Sequence, residues 1–595
     1  MQQKQDSYKW QIVLFSFCVL LAISFRVIYL DSDPYSKLCW STGLLTDEGF
    51  YIHNARNLIL FGHERTDEFN NYLIMPTLHF VQVAVFRLFG VSSISARGIS
   101  VGFSLGTLAL FFLAMRRAFS QNVALASTLF LGLDHINLLY NRMALMDTPA
   151  AFLLVCAFYC FVRWGDPEKI TLVSHSNLKS IWLSVVGLFL GLAFVTRGLT
   201  ACVVPVPFVI LLLRKEGRRA FCVLGIGLVT VLIIYAIVWY LPHREELIAI
   251  NRHYIGFQLL PKTPQRLGIN LYNGWLGDDR GFAPFLFRHT PVQFVLGAIW
   301  IVSVLPRKSR RSVFEVVNTD KSLVGNVNPG EWFLRLWLIL ALAMLSFVNY
   351  APSRYYVIFY PALAGLSAIA LFRMPQIFDR MKESVVFRTL SGAYFGYQLS
   401  LSILHHDNIW RVIGVGASTL VGGTIAYLSP SIHSYVNSFQ LSFKSLQELK
   451  PEKANLSRVG IATLVLWGII NGAYTLDWLA HLKYTQRDAS RWLTSNLTKD
   501  SVLIGDVAPG LCLDNKFECA PVIEGLCNAR DPFATQRGHM GALIILDGEI
   551  QESFWRKNHP EWIQSENRIK FLPAVVGKPV GIYQLNVKVP PPAQK

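Results

Sequence analysis

Apolar runs of nearly membrane-spanning length recur along most of the chain and constrain its fold more than any other feature. A helix needs ~20 predominantly apolar residues to cross the hydrocarbon layer of a bilayer. Runs that approach this length include residues 12–30, 123–139, 181–195, 221–240 and 334–348. Charged residues make up 16% of the 595 residues, whereas soluble domains carry roughly 25%. The sequence therefore predicts a mainly α-helical, polytopic membrane protein.

The basic residues indicate an orientation in the membrane. A formal charge of +17 would suit a nucleic-acid-binding protein, but the lysines and arginines fall in short clusters between the apolar runs, as in membrane proteins that keep positive loops inside. The clusters are 116–117, 214–219, 307–311 and 373–388. We place them in the cytoplasm and expect no nucleic-acid partner. The first apolar run lacks a small-residue cleavage site, so we expect an uncleaved first helix rather than a signal peptide.

This orientation requires that segment 73–90, which contains Pro76, His79, Gln82 and Arg87, lies at the interface without crossing. About thirteen membrane helices are then predicted: the first run and the segments near 98–115, 120–138, 149–164, 178–195, 200–213, 220–240, 292–305, 332–348, 355–372, 389–404, 410–428 and 459–476. The amino terminus is expected in the cytoplasm and the carboxyl terminus outside, with a bacterial inner or plasma membrane as the location. The predicted membrane domain is 1–478, with outer loops 31–97 and 241–291.

The tail 479–595 is predicted to form a small extracytoplasmic α/β domain. One segment, ASRWLTSNL, predicts a short helix, and the runs VLIGDV, GALIILDG, IKFLPAVVG and VGIYQLNV predict strands separated by Gly, Pro and Asp turns. Cys512, Cys519 and Cys527 lie in this tail. Outside the cytoplasm one disulfide among them is expected, with one thiol left over, and the pairing stays open.

Carboxylates at membrane boundaries are the first functional candidates. Asp47 and Glu48 follow the first apolar run in TDEGFYIHNAR, and Asp147 recurs in NRMALMDTPA. Such groups are costly beside a bilayer unless they face water or line a site, and the topology places Asp47 and Asp147 on the same outer side. The alternative is a helix cap, since an acidic first turn is favourable and Pro149 suits the start of a helix. Capping and catalysis are compatible.

Four segments occur in an order that resembles polyprenyl-phosphate-sugar glycosyltransferases, and in particular protein O-mannosyltransferase-like enzymes and the lipid A aminoarabinose transferase. They are TDEGFYIHNARNLILFGH, SARGISVGFSLGTLALFFLAMRRAF, NRMALMDTPAAF and GLAFVTRGLTACVVPVPFVILLL. A later segment, SRYYVIFYPALAGLSAIAL, is similar to the Arg/Lys–Tyr–Pro helix start of these families. The resemblance covers roughly residues 10–375 and implies a C-type glycosyltransferase fold, in which a sugar moves from a lipid phosphate to an acceptor, usually with inversion.

The resemblance also implies roles for the acidic residues. Asp47 would be the general base that removes the proton of the acceptor hydroxyl, a task that a positioned carboxylate can perform. Glu48 would point away from Asp47, because neighbours at i and i+1 do not share a helix face, and would orient or hydrogen-bond. Asp147 would orient the acceptor or hold a cation. The donor would be a polyprenyl-phosphate-linked sugar, and the acceptor an outer-leaflet lipid, a glycan or a protein.

An anionic phosphate leaving group needs cations beside it. Arg197, Arg252 and Arg354 are predicted outside or at the outer interface, where the positive-inside bias does not explain them, although each could instead anchor lipid headgroups. The remaining predicted substrate-binding residues are Tyr51, His53, Arg142 and Tyr355. For Arg142, pairing with Asp147, phosphate binding and a solvated loop position all stay open.

One departure from the aminoarabinose transferases concerns the carrier phosphate. In those enzymes a lysine precedes the proline of the interfacial segment, whereas this chain has Met75 before Pro76, so phosphate contact would come from another cation. We predict no cofactor and no metal site, with a divalent cation left open. The alternatives to a membrane transferase are a lipid or sugar transporter or flippase, and a non-catalytic scaffold of the same fold.

Overall fold

The protein is described here by a computed structural model. The described residues are 2–39, 43–67, 71–165, 175–253, 260–277, 281–302, 328–374, 392–394, 396–398, 457–524, 527–528, 531–532, 542–548 and 552–585.

The amino-terminal part is a helical bundle. Its helices are α1 (Gln2–Val27), α2 (Gly43–Phe61), α3 (Pro76–Phe89), α4 (Ser93–Ala118), α5 (Gln121–Leu133), α6 (His135–Tyr140), α7 (Asp147–Gly165), α8 (His175–Thr196), α9 (Pro205–Leu213), α10 (Arg218–Tyr235), α11 (Arg244–His253), α12 (Pro264–Leu276), α13 (Phe282–His289), α14 (Pro291–Val302), α15 (Pro329–Phe347), α16 (Tyr360–Phe372) and α17 (Arg458–Ala480). Short 3₁₀ turns occupy Asn71–Ile74, Gly198–Cys202 and Ser353–Ile358.

Local sequence explains several helix starts. The Ser92 side chain accepts a hydrogen bond from the backbone N–H of Ser95 and forms a capping box at α4. Ser120 and Asp134 cap α5 and α6 in the same way. Because Asp134 caps a new helix directly after Leu133, the apolar run predicted to cross near 120–138 is divided into two shorter helices.

The structure contains apolar helices of membrane-spanning length, as predicted, but it does not confirm their predicted number. Five helices in the described part of the chain are long and apolar enough to cross a membrane: Ser93–Ala118, Asp147–Gly165, Arg218–Tyr240, Pro329–Phe347 and Val459–Asn496. Other predicted spans are shorter apolar helices, such as α5 and α16 with 13 residues each. Apart from 392–394 and 396–398, the predicted spans 389–404 and 410–428 lie outside the described residues, as does the basic cluster 307–311. The exact count of thirteen therefore stays a prediction.

Helix α7 lies at the centre of the bundle. It packs against α4, α8 and α15, and 78% of its apolar window is buried. The corresponding value for Arg218–Tyr240 is 11%, and Ile226, Ile233 and Ile234 are exposed there. Exposed apolar side chains on such a helix are those expected to face lipid, so the bundle has a packed centre and an apolar periphery. The interfacial position predicted for α3, which has 14 residues, stays a prediction.

The carboxyl-terminal segment contains the predicted small α/β unit. Its elements are α18 (Thr485–Asn496), β1 (Val502–Ile504), α19 (Ala508–Leu511), β2 (Glu518–Ala520), β3 (Leu543–Gly548), α20 (Glu552–Asn558), β4 (Arg568–Val575) and β5 (Lys578–Leu585). They form a five-stranded sheet of order β2-β1-β3-β5-β4. β1 is parallel to β2 and β3, whereas β5 is antiparallel to β3 and β4. The four predicted strands are present, and β2 is additional.

This carboxyl-terminal domain is attached to the first outer loop and to α2. Asp33 accepts hydrogen bonds from the backbone N–H groups of Thr485 (2.9 Å) and Gln486 (3.0 Å), so it caps α18. Gly49 of α2 lies against α19, where an added Cβ would be 2.1 Å from the backbone nitrogen of Gly510. Only glycine permits this close approach, which brings the domain against the helix that carries Asp47.

Candidate active site

Asp47 and Glu48 lie within the first turns of α2 rather than at its start. The helix begins at Gly43, so neither residue is its N-cap, and the cap interpretation of the pair is wrong. Because neighbours at i and i+1 project in different directions, the two carboxylates have different partners. Asp47 pairs with Arg354, and Glu48 pairs with Arg97.

The Asp47–Arg354 pair joins α2 to the 3₁₀ turn Ser353–Ile358. The Arg354 guanidinium donates a hydrogen bond to Oδ2 of Asp47, and the Asp47 side chain keeps 16% of its surface exposed. Gly43 packs directly on the pair, since a Cβ there would lie 2.5 Å from Oδ2 of Asp47. Among the described residues, Arg354 is thus the side chain that holds a partly exposed Asp47.

A second ion pair forms between Asp147 and Arg197. Nε of Arg197 lies 3.1 Å from Oδ1 of Asp147, and both side chains are buried. Within the described part of the chain, neither oxygen of Asp147 has a hydrogen-bond donor in good geometry. Asp147 therefore does not cap α7. A buried carboxylate with unfilled acceptor positions calls for an explanation.

Tyr355 brings the two pairs into one cluster. The guanidinium carbon of Arg197 lies 4.6 Å from the centroid of the Tyr355 ring, and that of Arg354 lies 5.3 Å from it. Cations near an aromatic face are attracted by its electron density, so the ring holds both arginines beside each other. We call Asp47, Asp147, Arg197, Arg354 and Tyr355 the acid–arginine cluster.

Electrostatics adjust the basicity of Asp47. Burial raises the pKa of its carboxyl group above the ordinary value, while the positive charge of Arg354 opposes this. The negative charge of Asp147 raises the pKa further, and Arg197 lowers it. A raised pKa makes the carboxylate a stronger base than an exposed aspartate.

Glu48 belongs to a structural network on the other side of α2. Its two carboxylate oxygens accept from Nε and Nη2 of Arg97 at 2.9 and 2.6 Å, and Oε1 also accepts from the backbone N–H of Ala144 at 2.8 Å. Arg97 in turn donates to the carbonyls of Leu30 and Ser32. This network ties α2 to α4 and to the loop before α7, and the orienting role of Glu48 stays a prediction.

The other predicted residues are divided between the cluster and separate structural positions. Tyr51 is buried where the charges of Asp47, Arg197 and Arg354 reach it. His53 is fully buried and contacts Asp67 (Nε2 to Oδ2, 2.9 Å).

Arg142 does not pair with Asp147. It donates instead to the carbonyls of Phe25 (2.5 Å), Ile28 (2.7 Å) and Tyr29 (2.6 Å) at the end of α1. Arg252 is exposed on α11, and no contact in the described part of the chain joins it to the cluster.

Two functional neighbours were missed at the level of sequence. Arg97 stands in the SARG segment, and only folding reveals Glu48 as its partner. The Tyr350 ring centroid lies 5.9 Å from the guanidinium carbon of Arg354; its position four residues before Arg354 in NYAPSRYY was an available signal. No group of three or more His, Cys, Asp and Glu side chains in the described part of the chain is arranged to hold a metal ion. The cofactor prediction stays untested.

Comparison with known proteins gives a family-profile match over part of the chain and a fold for nearly all of it. Residues 74–250 match the sequence profile of the family described as dolichyl-phosphate-mannose-protein mannosyltransferase. This segment contains Asp147 and Arg197 but excludes Asp47 and Arg354. A search among curated proteins gives no match.

The solved structures that resemble this chain include two of ArnT from Cupriavidus metallidurans. The complex with undecaprenyl phosphate has a TM-score of 0.53 and 15% identity, and covers 98% of this chain and 99% of that chain. The apo form has a TM-score of 0.52 and 14% identity, with coverage of 99% and 100%. The oligosaccharyltransferase AglB from Archaeoglobus fulgidus has a lower TM-score of 0.44 and 12% identity, with coverage of 87% and 65%.

These findings confirm two predictions. The chain resembles the superfamily of polyprenyl-phosphate-sugar-dependent glycosyltransferases, and its fold is ArnT-like over nearly the whole length. The profile match and the fold are those expected of the predicted enzyme class, a membrane glycosyltransferase.

Proposed function

We propose that the protein transfers a sugar from a polyprenyl-phosphate carrier to an acceptor hydroxyl on the outer side of the membrane, with Asp47 as general base. The acid–arginine cluster supports this proposal most directly, because it holds two carboxylates and two guanidiniums around one tyrosine ring. The names of the similar proteins, which mention undecaprenyl phosphate and dolichyl-phosphate-mannose, support a donor of this class.

The two arginines suit an anionic leaving group. When the anomeric carbon–oxygen bond breaks, the polyprenyl phosphate keeps the bonding electrons and its negative charge. Guanidiniums bind phosphate oxygens through paired hydrogen bonds, so Arg354 and Arg197 would stabilise the charge that develops. They would replace the lysine that is absent at Met75.

Binding of the donor would also release the base. In the free protein Asp47 is neutralised by Arg354. A carrier phosphate that takes Arg354 as its partner leaves the Asp47 carboxylate to accept the proton of the acceptor hydroxyl. The acceptor oxygen then attacks the anomeric carbon from the face opposite the phosphate, and a single displacement of this kind inverts the configuration.

Asp147 would orient a hydroxyl group. Its buried oxygens have acceptor positions that described residues leave unfilled, and a hydroxyl of the sugar or of the acceptor could donate to them. Such a hydrogen bond would hold the reacting groups in line, which lowers the entropic part of the barrier. Whether the acceptor is a lipid, a glycan or a protein is left to experiment.

The test measures transfer of radiolabelled sugar from a panel of polyprenyl-phosphate donors in membranes of a deletion strain. Lipid, glycan and protein fractions are counted separately for the wild type, Asp47→Asn and the control Asp488→Asn, an equivalent change on the exposed face of α18. We expect label with the wild type and the control, and none above background with Asp47→Asn at equal expression.

The outcomes separate the interpretations. Labelling that survives Asp47→Asn at the wild-type rate removes Asp47 as the base. A chain that labels no fraction with any donor, yet moves the donor between leaflets of a vesicle, is a flippase rather than a transferase.

A further inference from the structure

Residues 512–519, which run from the end of α19 into β2, attach the carboxyl-terminal domain to the helix that carries Asp47. We call them the docking loop. Arg56 of α2 is buried in this loop and donates hydrogen bonds to three of its backbone carbonyls, those of Cys512 (3.0 Å), Asn515 (3.0 Å) and Phe517 (2.7 Å). The next residue, Asn57, donates to the carbonyl of Cys519 at 3.0 Å. The backbone of the docking loop therefore surrounds the Arg56 side chain.

The docking loop also holds a membrane helix. Oδ1 of Asp514 accepts a hydrogen bond from the backbone N–H of Ser93 at 2.8 Å, at the first residue of α4. A carboxylate at this position satisfies an N–H group that has no partner within the helix. The conformation of the loop thus fixes α2 and α4 relative to the carboxyl-terminal domain.

Cys512 and Cys519 stand at the two ends of this loop. Both side chains are fully buried, and each thiol shifts the pKa of the other. The same guanidinium reaches both residues, since Nη1 of Arg56 lies 3.7 Å from Sγ of Cys519 while Nε contacts the carbonyl of Cys512. The two cysteines are therefore held beside one guanidinium.

The third cysteine of the tail lies elsewhere. Cys527 is buried in a separate apolar cluster with Phe50, Tyr72 and Leu247, and its backbone pairs with that of Ile523. Cys527 therefore packs in a different apolar cluster from Cys512 and Cys519, and the pairing stays a prediction.

We propose that Cys512 and Cys519 form a disulfide that closes the docking loop around Arg56. The inference rests on the proposed extracytoplasmic position of the carboxyl-terminal domain, where disulfides persist. It does not depend on the transferase reaction.

The chemistry is an exchange with an oxidant that is itself a disulfide, either of a thiol oxidoreductase or of a small molecule such as oxidised glutathione. Cys519 is suited to begin it, because the hydrogen bond from Cys512 and the positive charge of Arg56 lower the pKa of its thiol to about 6. Its thiolate attacks one sulfur of the oxidant and releases the other as a thiol. Cys512 then loses its proton, attacks the mixed disulfide and releases the second thiol, so two protons and two electrons leave the protein.

Tryptic peptides provide the test. Cleavage after Lys499, Lys516 and Arg530 places Cys512 in peptide 500–516 and both Cys519 and Cys527 in peptide 517–530. Membranes are denatured in SDS in the presence of excess N-ethylmaleimide, so that every free thiol is blocked, and the full-length protein is purified without reductant, digested and analysed by mass spectrometry. We expect the two peptides to be joined in the wild type and in Cys527→Ser, and to be separate in Cys519→Ser.

A second readout measures the effect of the bond on the fold. Because a disulfide restricts the unfolded chain, reductant should lower the Tm of the wild type and leave that of the double variant C512S/C519S unchanged. Maleimide on Cys512 of the wild type, or a link that persists in Cys519→Ser, would overturn the proposal. A link that forms only after addition of oxidised glutathione would also overturn it. Neither readout needs a donor or acceptor, so failure here and failure of the proposed transferase are distinguishable.

Discussion

Two neighbouring carboxylates, Asp47 and Glu48, have opposite environments. Glu48 is almost completely buried and accepts three hydrogen bonds at 2.6–2.9 Å from Arg97 and Ala144. Asp47 is partly exposed and is held through one oxygen by Arg354. The buried acid is saturated with donors and connects elements of the fold, whereas the accessible acid keeps acceptor capacity for a substrate.

The same contrast holds for the arginines. Arg97 donates hydrogen bonds to Glu48 and to backbone carbonyls. Arg142 donates hydrogen bonds to carbonyls at the end of α1. Arg197 and Arg354 instead lie near one tyrosine ring, each against a carboxylate. An arginine whose partners are carbonyls of its own fold cannot exchange them for a phosphate without loss of structure. We propose that the arginines in the acid–arginine cluster, which are held by side chains, make this exchange.

The largest expected effect is that of Asp47→Asn on the rate. Loss of a general base should lower kcat by about 10²–10⁴-fold, while thermal stability changes little because asparagine nearly preserves size. Single-turnover transfer and a melting curve on the same preparation measure both quantities. A large fall in Tm would instead place Asp47 among the structural acids.

Glu48→Gln should do the reverse. Removal of one charge from a buried ion pair leaves Arg97 uncompensated and should cost about 3–5 kcal/mol of stability. The folded fraction should therefore fall in detergent melting experiments, with kcat per folded molecule close to that of the wild type. The double variant Glu48→Gln, Arg97→Met should recover part of the stability. If the Glu48→Gln protein is stable but has a low kcat, Glu48 contributes to catalysis rather than to the stability of the fold.

Arg354→Lys should act mainly on the donor. Lysine keeps the charge but loses the paired hydrogen bonds to phosphate, so a loss of about 1.5–3 kcal/mol is expected, or about 10- to 150-fold in KM for the polyprenyl-phosphate sugar. Arg491→Lys, on the exposed part of α18, is the matched control. An unchanged donor KM in Arg354→Lys would assign the phosphate to Arg197 alone.

The pH dependence gives the finest test. Because Asp47 acts as the deprotonated base and its pKa is raised, activity should fall on the acidic side at a higher pH than for an ordinary aspartate. Asp147→Asn removes a negative charge that raises this pKa, so the acidic limb should move to lower pH. Arg354→Gln removes a positive charge that lowers it, so the limb should move to higher pH. The pH dependence of kcat/KM for the three proteins measures these shifts. If activity falls at the same acidic pH in all three, a group other than Asp47 controls the pH dependence.

The members of the acid–arginine cluster could be predicted from the sequence. Asp47, Asp147, Arg197, Arg354 and Tyr355 were each candidates from their position at membrane boundaries or from the resemblance, and the fold brings all five together. The errors concern residues whose partners are distant in the chain. Arg142 was a candidate for phosphate or for Asp147, yet it stabilises the end of α1, and nothing in its local sequence distinguishes these outcomes.

The sequence by itself determined the helical membrane class, the strands of the carboxyl-terminal domain and the set of charged residues from which a site could be built. Those properties follow from local patterns, since apolar length, strand alternation and turn residues act over a few to about twenty positions. Only the tertiary structure decided which of the two neighbouring acids has its oxygens filled by hydrogen-bond donors and which is partly exposed. Asp47 and Arg354 are 307 positions apart, and whether two such groups meet depends on how the helices pack, because a charge in a poorly hydrated interior adopts the partner that the surrounding backbone brings within reach.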